Sequence, residues 1–239
     1  MSDPGKSLPA GGATRAEIDA FLRQVAAAPA PRTAGGGRGR LMVAIDATAS
    51  RQPTWDHACQ IQSEMFEATA GLGGLDIQLV YFRGYGECKA GPWLASGTEL
   101  ARRMSGVACL AGHTQWCRVL GHAVNETRKS KVNALVCIGD SFEEEIDRLG
   151  DLAGELGMLG VPVFCFHEGG DAQARLAFQQ VAKLTRGAYC PFDSGSARQL
   201  RDLLSAVAVY AAGGLAALSD FGGRRGGVAG LLTDQLKKP

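Results

Sequence analysis

The sequence lacks the long apolar segments that secreted and membrane-spanning chains carry. Residues 1–40 contain no apolar core of the kind that a secretory signal needs. No stretch reaches the roughly 18 to 20 uninterrupted apolar residues of a membrane span, and the nearest one, residues 203–218, is broken by Gly213 and Gly214. These absences predict a cytoplasmic protein without a membrane span.

A strong charge of one sign and a disulfide pattern are also missing. The 25 lysine and arginine residues nearly balance the 24 aspartate and glutamate residues, so the net charge gives no indication of nucleic acid or an acidic membrane as a partner. The seven cysteines are an odd number without paired spacing, and Cys137 and Cys165 lie in apolar segments, where cysteine behaves as a small hydrophobe. This usage is typical of a reducing compartment.

From residue 41 onward, apolar runs and amphipathic segments alternate. The apolar runs predict strands at residues 41–45, 75–82, 87–90, 134–138, 161–166 and 188–192. The segments between and after them predict helices at residues 53–70, 98–104, 116–128, 143–159, 172–185 and 196–218. The alternation indicates an α/β fold with a doubly wound, Rossmann-like, mostly parallel sheet of about six strands flanked by helices.

The composition of the two ends predicts one domain between tails. Residues 40–219 carry the alternating pattern, whereas residues 1–39 have the Gly, Pro, Ala and Ser content of a flexible segment and residues 220–239 form a Gly-rich basic tail. In the first segment, Thr14 and Glu17 have the spacing of a capping box, which predicts a short helix. The apolar face of this helix allows either docking on the domain or binding to a partner.

Polar side chains follow the apolar run at residues 41–45. Asp46, Thr48 and Ser50 offer one carboxylate and two hydroxyls on one short loop. The loop comes at the carboxyl end of a strand with both faces apolar, where open α/β sheets bind ligands. Such oxygen donors suit a divalent cation when other loops complete the ligand set. The same pattern also caps helices, so this loop alone leaves both interpretations open.

Two further loops extend the pattern. Thr114 stands in a Gly-x-Thr segment, and Asp140 directly follows an apolar strand and one glycine. With the first loop, they resemble the von Willebrand factor A (VWA) domain and its metal-ion-dependent adhesion site (MIDAS). That family carries Asp-x-Ser-x-Ser after its first strand, a threonine from a middle loop and an aspartate after its fourth major strand. Thr48 replaces the first serine but keeps the donor oxygen, and the resemblance covers about residues 40–212.

The resemblance implies a metal site that serves protein–protein interaction. The implied ligands are Asp46, Thr48, Ser50, Thr114 and Asp140. This all-oxygen set suits Mg²⁺ or Mn²⁺ and is poor for zinc, and in the family an acidic side chain of the partner fills the open position. Cytoplasmic bacterial members often work beside ATPases or in stress-response clusters, which implies a partner of that kind here.

An enzymatic function finds little support in the residues. A phosphatase of the haloacid dehalogenase type would need an acidic residue where Thr48 stands. There is no Gly-x-x-x-x-Gly-Lys-Ser/Thr loop for nucleotide phosphates, and no serine after a strand lies in a Gly-x-Ser-x-Gly elbow. The chain is therefore predicted not to be an enzyme, with metal-assisted hydrolysis as the alternative.

RNA binding is a second alternative, because a related domain occurs in RNA-binding ring proteins. The basic stretches are short and lack interleaved aromatics on which bases would stack, so nucleic acid is not the expected partner. They lie at residues 38–40, 128–131, 224–225 and 237–238.

The remaining chemistry-bearing residues have structural interpretations. Cys109, His113 and Cys117 recur at four-residue intervals, but a zinc site needs a further ligand or water, and packing is favoured. The three glutamates at residues 143–145 are predicted to complement the dipole of the helix that they begin, with presentation of charge near the ion by the acidic run at residues 142–147 as the alternative. Packing or surface roles are predicted for the remaining histidines and for two tryptophans: His57, His122, His167, Trp55 and Trp116.

Overall fold

The computed structural model describes residues 13–29, 38–52, 55–56, 74–192 and 197–224. The described strands are β1 (Gly39–Asp46), β2 (Leu75–Arg83), β3 (Glu87–Leu94), β4 (Ala134–Gly139), β5 (Val163–Glu168) and β6 (Ala188–Phe192). The described α-helices are α1 (Arg15–Ala27), α2 (Gly97–Ser105), α3 (Trp116–Lys129), α4 (Ile146–Met158), α5 (Ala172–Thr185) and α6 (Ala197–Arg224). The helix predicted at residues 53–70 lies outside the described residues except at 55–56.

The six strands form one sheet in the order β3-β2-β1-β4-β5-β6. All neighbours are parallel except β3, which pairs antiparallel with β2 at the edge. The strand order reverses between β1 and β4, and in doubly wound sheets ligands bind outside the carboxyl ends of the strands at that point. The predicted fold class is confirmed, and the reversal lies between the strands that precede Asp46 and Asp140.

Both faces of the sheet are buried. Alternate residues of β1 point to opposite faces: Leu41, Val43 and Ile45 pack in one apolar cluster with α1 and α6. Met42 and Ala44 pack in the other, with α3, α4 and α5. Two covered faces explain why the sequence of this strand is continuously apolar.

Helix α1 packs on the sheet. Its capping box is formed, because the Thr14 side chain accepts from Glu17 N and the Glu17 side chain accepts from Thr14 N. Phe21 is fully buried, with its ring centroid 5.2 Å from that of Phe166 in β5. Gln24 Oε1 accepts from Tyr189 N in the edge strand β6 at 3.3 Å. Of the two possibilities that the sequence left open, the structure adopts docking on the domain.

Several element boundaries differ from the predictions, and β3 extends to Leu94 rather than to residue 90. The helix predicted from residue 143 begins at Ile146, and β5 begins at Val163 rather than at Val161. Helix α6 continues to Arg224, with a kink at Gly214, where φ is 69°. Among the described residues, no helix is long and apolar enough to cross a membrane, and residues 225–239 lie outside them.

Candidate metal centre

The first loop of the candidate site leaves β1 at a buried carboxylate. Asp46 is the last residue of β1 and is fully buried. Its Oδ1 accepts from Thr48 N at 2.7 Å, which turns the chain sharply after the strand. Thr48 precedes the short 3₁₀ turn Ala49–Arg51 but makes no side-chain capping hydrogen bond. The Thr48 hydroxyl is therefore not used as a cap for this turn, and the helix predicted from residue 53, to which the capping interpretation of the loop also applies, lies outside the described residues except at 55–56.

The second loop is fixed against the tip of the β2–β3 hairpin. His113 N donates to Gly84 O at 3.2 Å, and Leu110 N donates to Ala47 O at 3.0 Å. A Cβ on Gly112 would overlap the carbonyl group of Gly84, so only glycine permits this approach. The close packing places Thr114, which is buried, beside the first loop.

The third loop follows β4 and brings the two aspartates to the same edge. Ser50 Oγ donates to Asp140 Oδ2 at 2.9 Å, and Thr48 Oγ1 lies 3.5 Å from Ser50 Oγ. The hydroxyls of the first loop are therefore in direct reach of the carboxylate of the third. All five predicted ligands line one cavity of about 270 Å³: Asp46, Thr48, Ser50, Thr114 and Asp140.

Of the acidic run at residues 143–145, only Glu145 stands at the start of helix α4, as its N-cap residue, so the predicted complement to that helix's dipole is wrong for Glu143 and Glu144. Glu144 instead accepts from Trp116 N and Cys117 N, the first N–H groups of α3. It satisfies groups that a helix start leaves without an intrahelical partner, at the positive end of the α3 dipole. The sequence does not reveal this pairing because it joins segments 27 or 28 residues apart.

Glu143 is a residue of the site that is not among the five predicted ligands, although it belongs to the acidic run for which charge near the ion was the alternative. It lines the cavity, and Glu143 N donates to Thr114 Oγ1 at 3.0 Å. Its Oε2 accepts from Thr114 N at 3.2 Å and lies 3.1 Å from His113 Nδ1. These reciprocal bonds tie the second and third loops together. The signals in the sequence were its place in that acidic run and its nearness to Asp140.

The zinc alternative is not supported by the described residues. Among them, no group of three or more His, Cys, Asp or Glu side chains could hold a metal ion, so the candidate site has to combine its two predicted carboxylates with hydroxyl ligands. Burial, and secondarily the nearby charge of Glu144, raises the pKa of Cys117 to about 12, and a thiol must lose its proton to bind zinc. The packing interpretation of the cysteines agrees with these facts.

Two tryptophans and two histidines are packing residues, as predicted. Trp55 and Trp116 are buried, and their indole nitrogens donate to Met104 O and Ser141 O, each at 3.1 Å. Burial lowers the pKa of His122 and of His167, and His167 Nδ1 lies 2.9 Å from the Tyr189 hydroxyl. His57 lies outside the described residues.

The basic stretches at residues 38–40 and 128–131 are engaged within the protein. The Arg40 guanidinium lies 3.9 Å from the centre of the Trp93 ring and also bonds to Ser130 O. Arg38 pairs with Asp76 at 2.6 Å. Similar intramolecular partners hold the second stretch: Arg128 to Glu155, Lys129 to Glu126, and Lys131 to two carbonyls.

The donor chemistry of the cavity fits a hard cation. The five predicted ligands supply two carboxylates and three neutral hydroxyls, and Glu143 adds a third carboxylate to the lining. Oxygen ligands of these kinds suit Mg²⁺ and Mn²⁺. The five residues come from three loops, and the bond between Ser50 and Asp140 already brings two of those loops together.

The fold is that of a VWA domain. The chain is similar to the SpRpn10 VWA domain, at 13% identity over 70% of this chain and 94% of that chain, with a TM-score of 0.54. It is also similar to an aerotolerance-related membrane protein from Bacteroides fragilis NCTC 9343, at 17% identity over 70% of this chain and 98% of that chain, with a TM-score of 0.54.

A third similar structure is proximal thread matrix protein 1 from the mussel byssus, which has a zinc-occupied MIDAS motif. It is 11% identical over 72% of this chain and 46% of that chain, with a TM-score of 0.54. No protein-family model matches the sequence, and no curated protein matches it. At these identities the similarity establishes the fold alone.

Proposed function

We propose that this chain is a protein-interaction module of the MIDAS type. In this proposal Asp46, Thr48, Ser50, Thr114 and Asp140 hold Mg²⁺ or Mn²⁺, directly or through water, and a carboxylate of a partner protein completes the ligand set. The observation that carries it is the common cavity at the strand-order reversal, where all five oxygen donors meet.

The charge of the ligand set supports binding of a partner carboxylate. A bound divalent ion supplies positive charge and a coordination position that an outside oxygen can fill. Thr48, Ser50 and Thr114 are neutral donors, so they add ligands without repelling that carboxylate. The zinc-occupied MIDAS motif of the mussel protein supports testing more than one divalent ion.

Interaction is favoured over catalysis by the lining of the cavity. Among its described lining residues there is no histidine, cysteine or lysine, and the carboxylate beside the Ser50 hydroxyl, that of Asp140, is itself a metal ligand in this proposal. The nearby His113 is hydrogen-bonded to Glu143. A cytoplasmic partner, such as an ATPase or a stress-response component, is part of the proposal and follows from the family resemblance.

Thermal unfolding with and without divalent ions tests the metal site. The metal-free protein is titrated with Mg²⁺, Mn²⁺ and Zn²⁺, beside Asp46→Ala and the control Asp76→Asn. A ligand that binds only the folded state stabilises it, by about 2.7 kcal/mol at one hundred times its dissociation constant.

Mg²⁺ or Mn²⁺ is expected to raise the midpoint temperature of unfolding of the wild type and of Asp76→Asn, but not that of Asp46→Ala. Asp76 lies near the start of β2, away from the cavity, and pairs with Arg38. Its amide variant therefore controls for the loss of one negative charge elsewhere in the protein. An equal response in Asp46→Ala, or no response in any protein, contradicts the proposed site.

A further inference from the structure

Beside the cavity, the surface presents an aromatic ring to solvent. Tyr85 stands at the tip of the β2–β3 hairpin and is 82% exposed. Its ring lies edge-on to the imidazole of His113, with centroids 5.1 Å apart. Leu110, also exposed, lies in the same loop as His113. We call Tyr85, Leu110 and His113 the aromatic rim.

The aromatic rim is held firmly. Gly84 N donates to Leu110 O at 3.5 Å, and His113 N donates to Gly84 O at 3.2 Å. Two backbone hydrogen bonds thus join the hairpin tip to the second loop of the site. Preorganised exposed aromatics lose little conformational freedom on binding, which is why they recur as interaction hot spots.

On the side of the metal site, the charge next to the aromatic rim is negative, whereas Arg118 and Arg83 lie on its other side, bonded to Gly86 O and Ala108 O. The Glu143 side chain is 51% exposed, and its carboxylate touches the same imidazole that contacts Tyr85. Glu145 and Asp147, both exposed, follow in the same loop and helix start. A purely apolar partner would displace water from these carboxylates without supplying a hydrogen-bond donor or a cation in its place, which is unfavourable.

From this juxtaposition we infer that the partner segment carries an arginine or lysine a few residues from the carboxylate that enters the metal site. The cation lies over the Tyr85 ring and pairs with Glu143, while its aliphatic stem covers Leu110. The recognised chemistry is therefore an acidic residue with a nearby basic one. This inference rests on the proposed function, because the carboxylate enters the metal site.

A peptide library tests the inference directly. Short peptides with glutamate fixed at the centre and every other position varied are bound to the immobilised full chain, in Mg²⁺ and in EDTA. Matched libraries with central glutamine control for the fixed carboxylate. The wild type is expected to retain peptides only in Mg²⁺, only with glutamate, and with arginine or lysine enriched at a flanking position.

The variants separate the aromatic rim from the metal site. Tyr85→Ala is expected to lower the enrichment of basic residues about two- to fivefold, the effect of an exposed cation–π contact, while still requiring glutamate and Mg²⁺. Tyr85→Phe keeps the ring and the enrichment. The control Met158→Ala, which removes a side chain 85% exposed at the end of α4, leaves the enrichment of basic residues unchanged. Asp46→Ala, which removes a predicted metal ligand, retains no peptide.

Each contrary result overturns a stated claim. Retention that needs glutamate and Mg²⁺ but enriches no basic residue, or enriches apolar ones instead, overturns the inference and leaves the metal site standing. The same holds if Tyr85→Ala keeps the full enrichment. Retention of no peptide, or retention independent of Mg²⁺ and glutamate, overturns the proposed function and the inference with it.

Discussion

The parallel strands end at one side of the sheet, here called the carboxyl edge, and begin at the other, the amino edge. The side chains that bind helix ends carry opposite charges at these two edges. At the carboxyl edge, where α3 begins, Glu144 accepts from the backbone N–H groups of Trp116 and Cys117. At the amino edge, where α4 ends, Lys131 donates to the carbonyls of Leu159 and Gly160. Arg40 does the same for Ser130 after the last turn of α3.

Helix polarity explains this difference. Every crossover helix of a parallel sheet starts near the carboxyl edge, with free N–H groups and a partial positive charge, and ends near the amino edge, with free carbonyls. A carboxylate therefore suits the start of a crossover helix, as Glu144 does for α3, and a cation suits its end, as Lys131 does for α4. The Glu144 carboxylate binds the start of α3, whereas Asp46, Asp140 and Glu143 line the cavity. The sequence alone does not distinguish a carboxylate that binds a helix start from one that lines the cavity.

The largest expected effect on stability comes from adding a side chain at Gly39, where β1 and α6 are in close contact at the amino edge. A Cβ on Gly39 would overlap Ala211 O and lie 2.6 Å from Ala212 Cα, and the backbone of α6 has to move. Gly39→Ala is expected to lower the free energy of unfolding by about 1–3 kcal/mol. Its gain of midpoint temperature with Mg²⁺ should stay at the wild-type value, because the site lies at the other edge.

Gly154→Ala is the matched control, measured by the same urea and thermal unfolding. An added Cβ there meets no atom within 4 Å, and alanine is favoured over glycine inside a helix by up to about 1 kcal/mol. If Gly39→Ala also lost the response to Mg²⁺, the two edges would not be independent.

A smaller effect is expected from neutralising the helix cap of α3. Glu144→Gln keeps one acceptor oxygen but loses the charge and the second acceptor, at a cost of about 1 kcal/mol. Since α3 starts two residues after Thr114, the gain in midpoint temperature with Mg²⁺ should also shrink. Thermal unfolding with a Mg²⁺ titration measures both.

Lys131→Gln is the counterpart at the amino edge. It removes the charge beside the end of α4 and is expected to cost a similar amount of stability, yet to leave the Mg²⁺ response intact. Equal Mg²⁺ responses in the two glutamine variants would show that the cap at the carboxyl edge does not support the site.

The smallest expected effect is on pH dependence. Burial lowers the pKa of His167 at the carboxyl end of β5, so below its ordinary value of about 6.5 the unfolded chain binds more protons than the folded one. Stability should therefore fall as the pH drops through and below that value.

Urea unfolding at about pH 7.5 and about pH 5.5 measures this loss. His167→Phe should reduce it without abolishing it, because burial lowers the pKa of His122 as well and adds a loss of the same sign. An unchanged pH dependence in His167→Phe, or a wild type more stable in acid, contradicts the assignment.

Local sequence patterns predicted the strands of the sheet and most of the helices that cover it. Apolar runs located the strands, and the helix at residues 172–185 and the strand at residues 188–192 have the predicted bounds. The strand-then-polar-loop pattern also placed five oxygen donors that meet in one cavity. Their role as metal ligands stays a prediction.

The errors concern contacts between distant segments. The start of α4 was misplaced because Glu143 and Glu144 bond to the second loop and to α3 rather than to the helix that follows them. The aromatic rim was missed because Tyr85 and His113 are far apart in sequence and meet through a hairpin tip. Helix and strand periodicity carries no information about such pairings.

The position of α1 has a consequence for the order of folding during synthesis. Gln24 bonds to Tyr189, a partner 165 residues later, and Phe21 packs against Phe164 and Phe166 in β5. Helix α1 leaves the ribosome before these strands, so its apolar face stays exposed until β5 and β6 have been made. Such long-range contacts form slowly, and docking of α1 therefore closes the domain late in its folding.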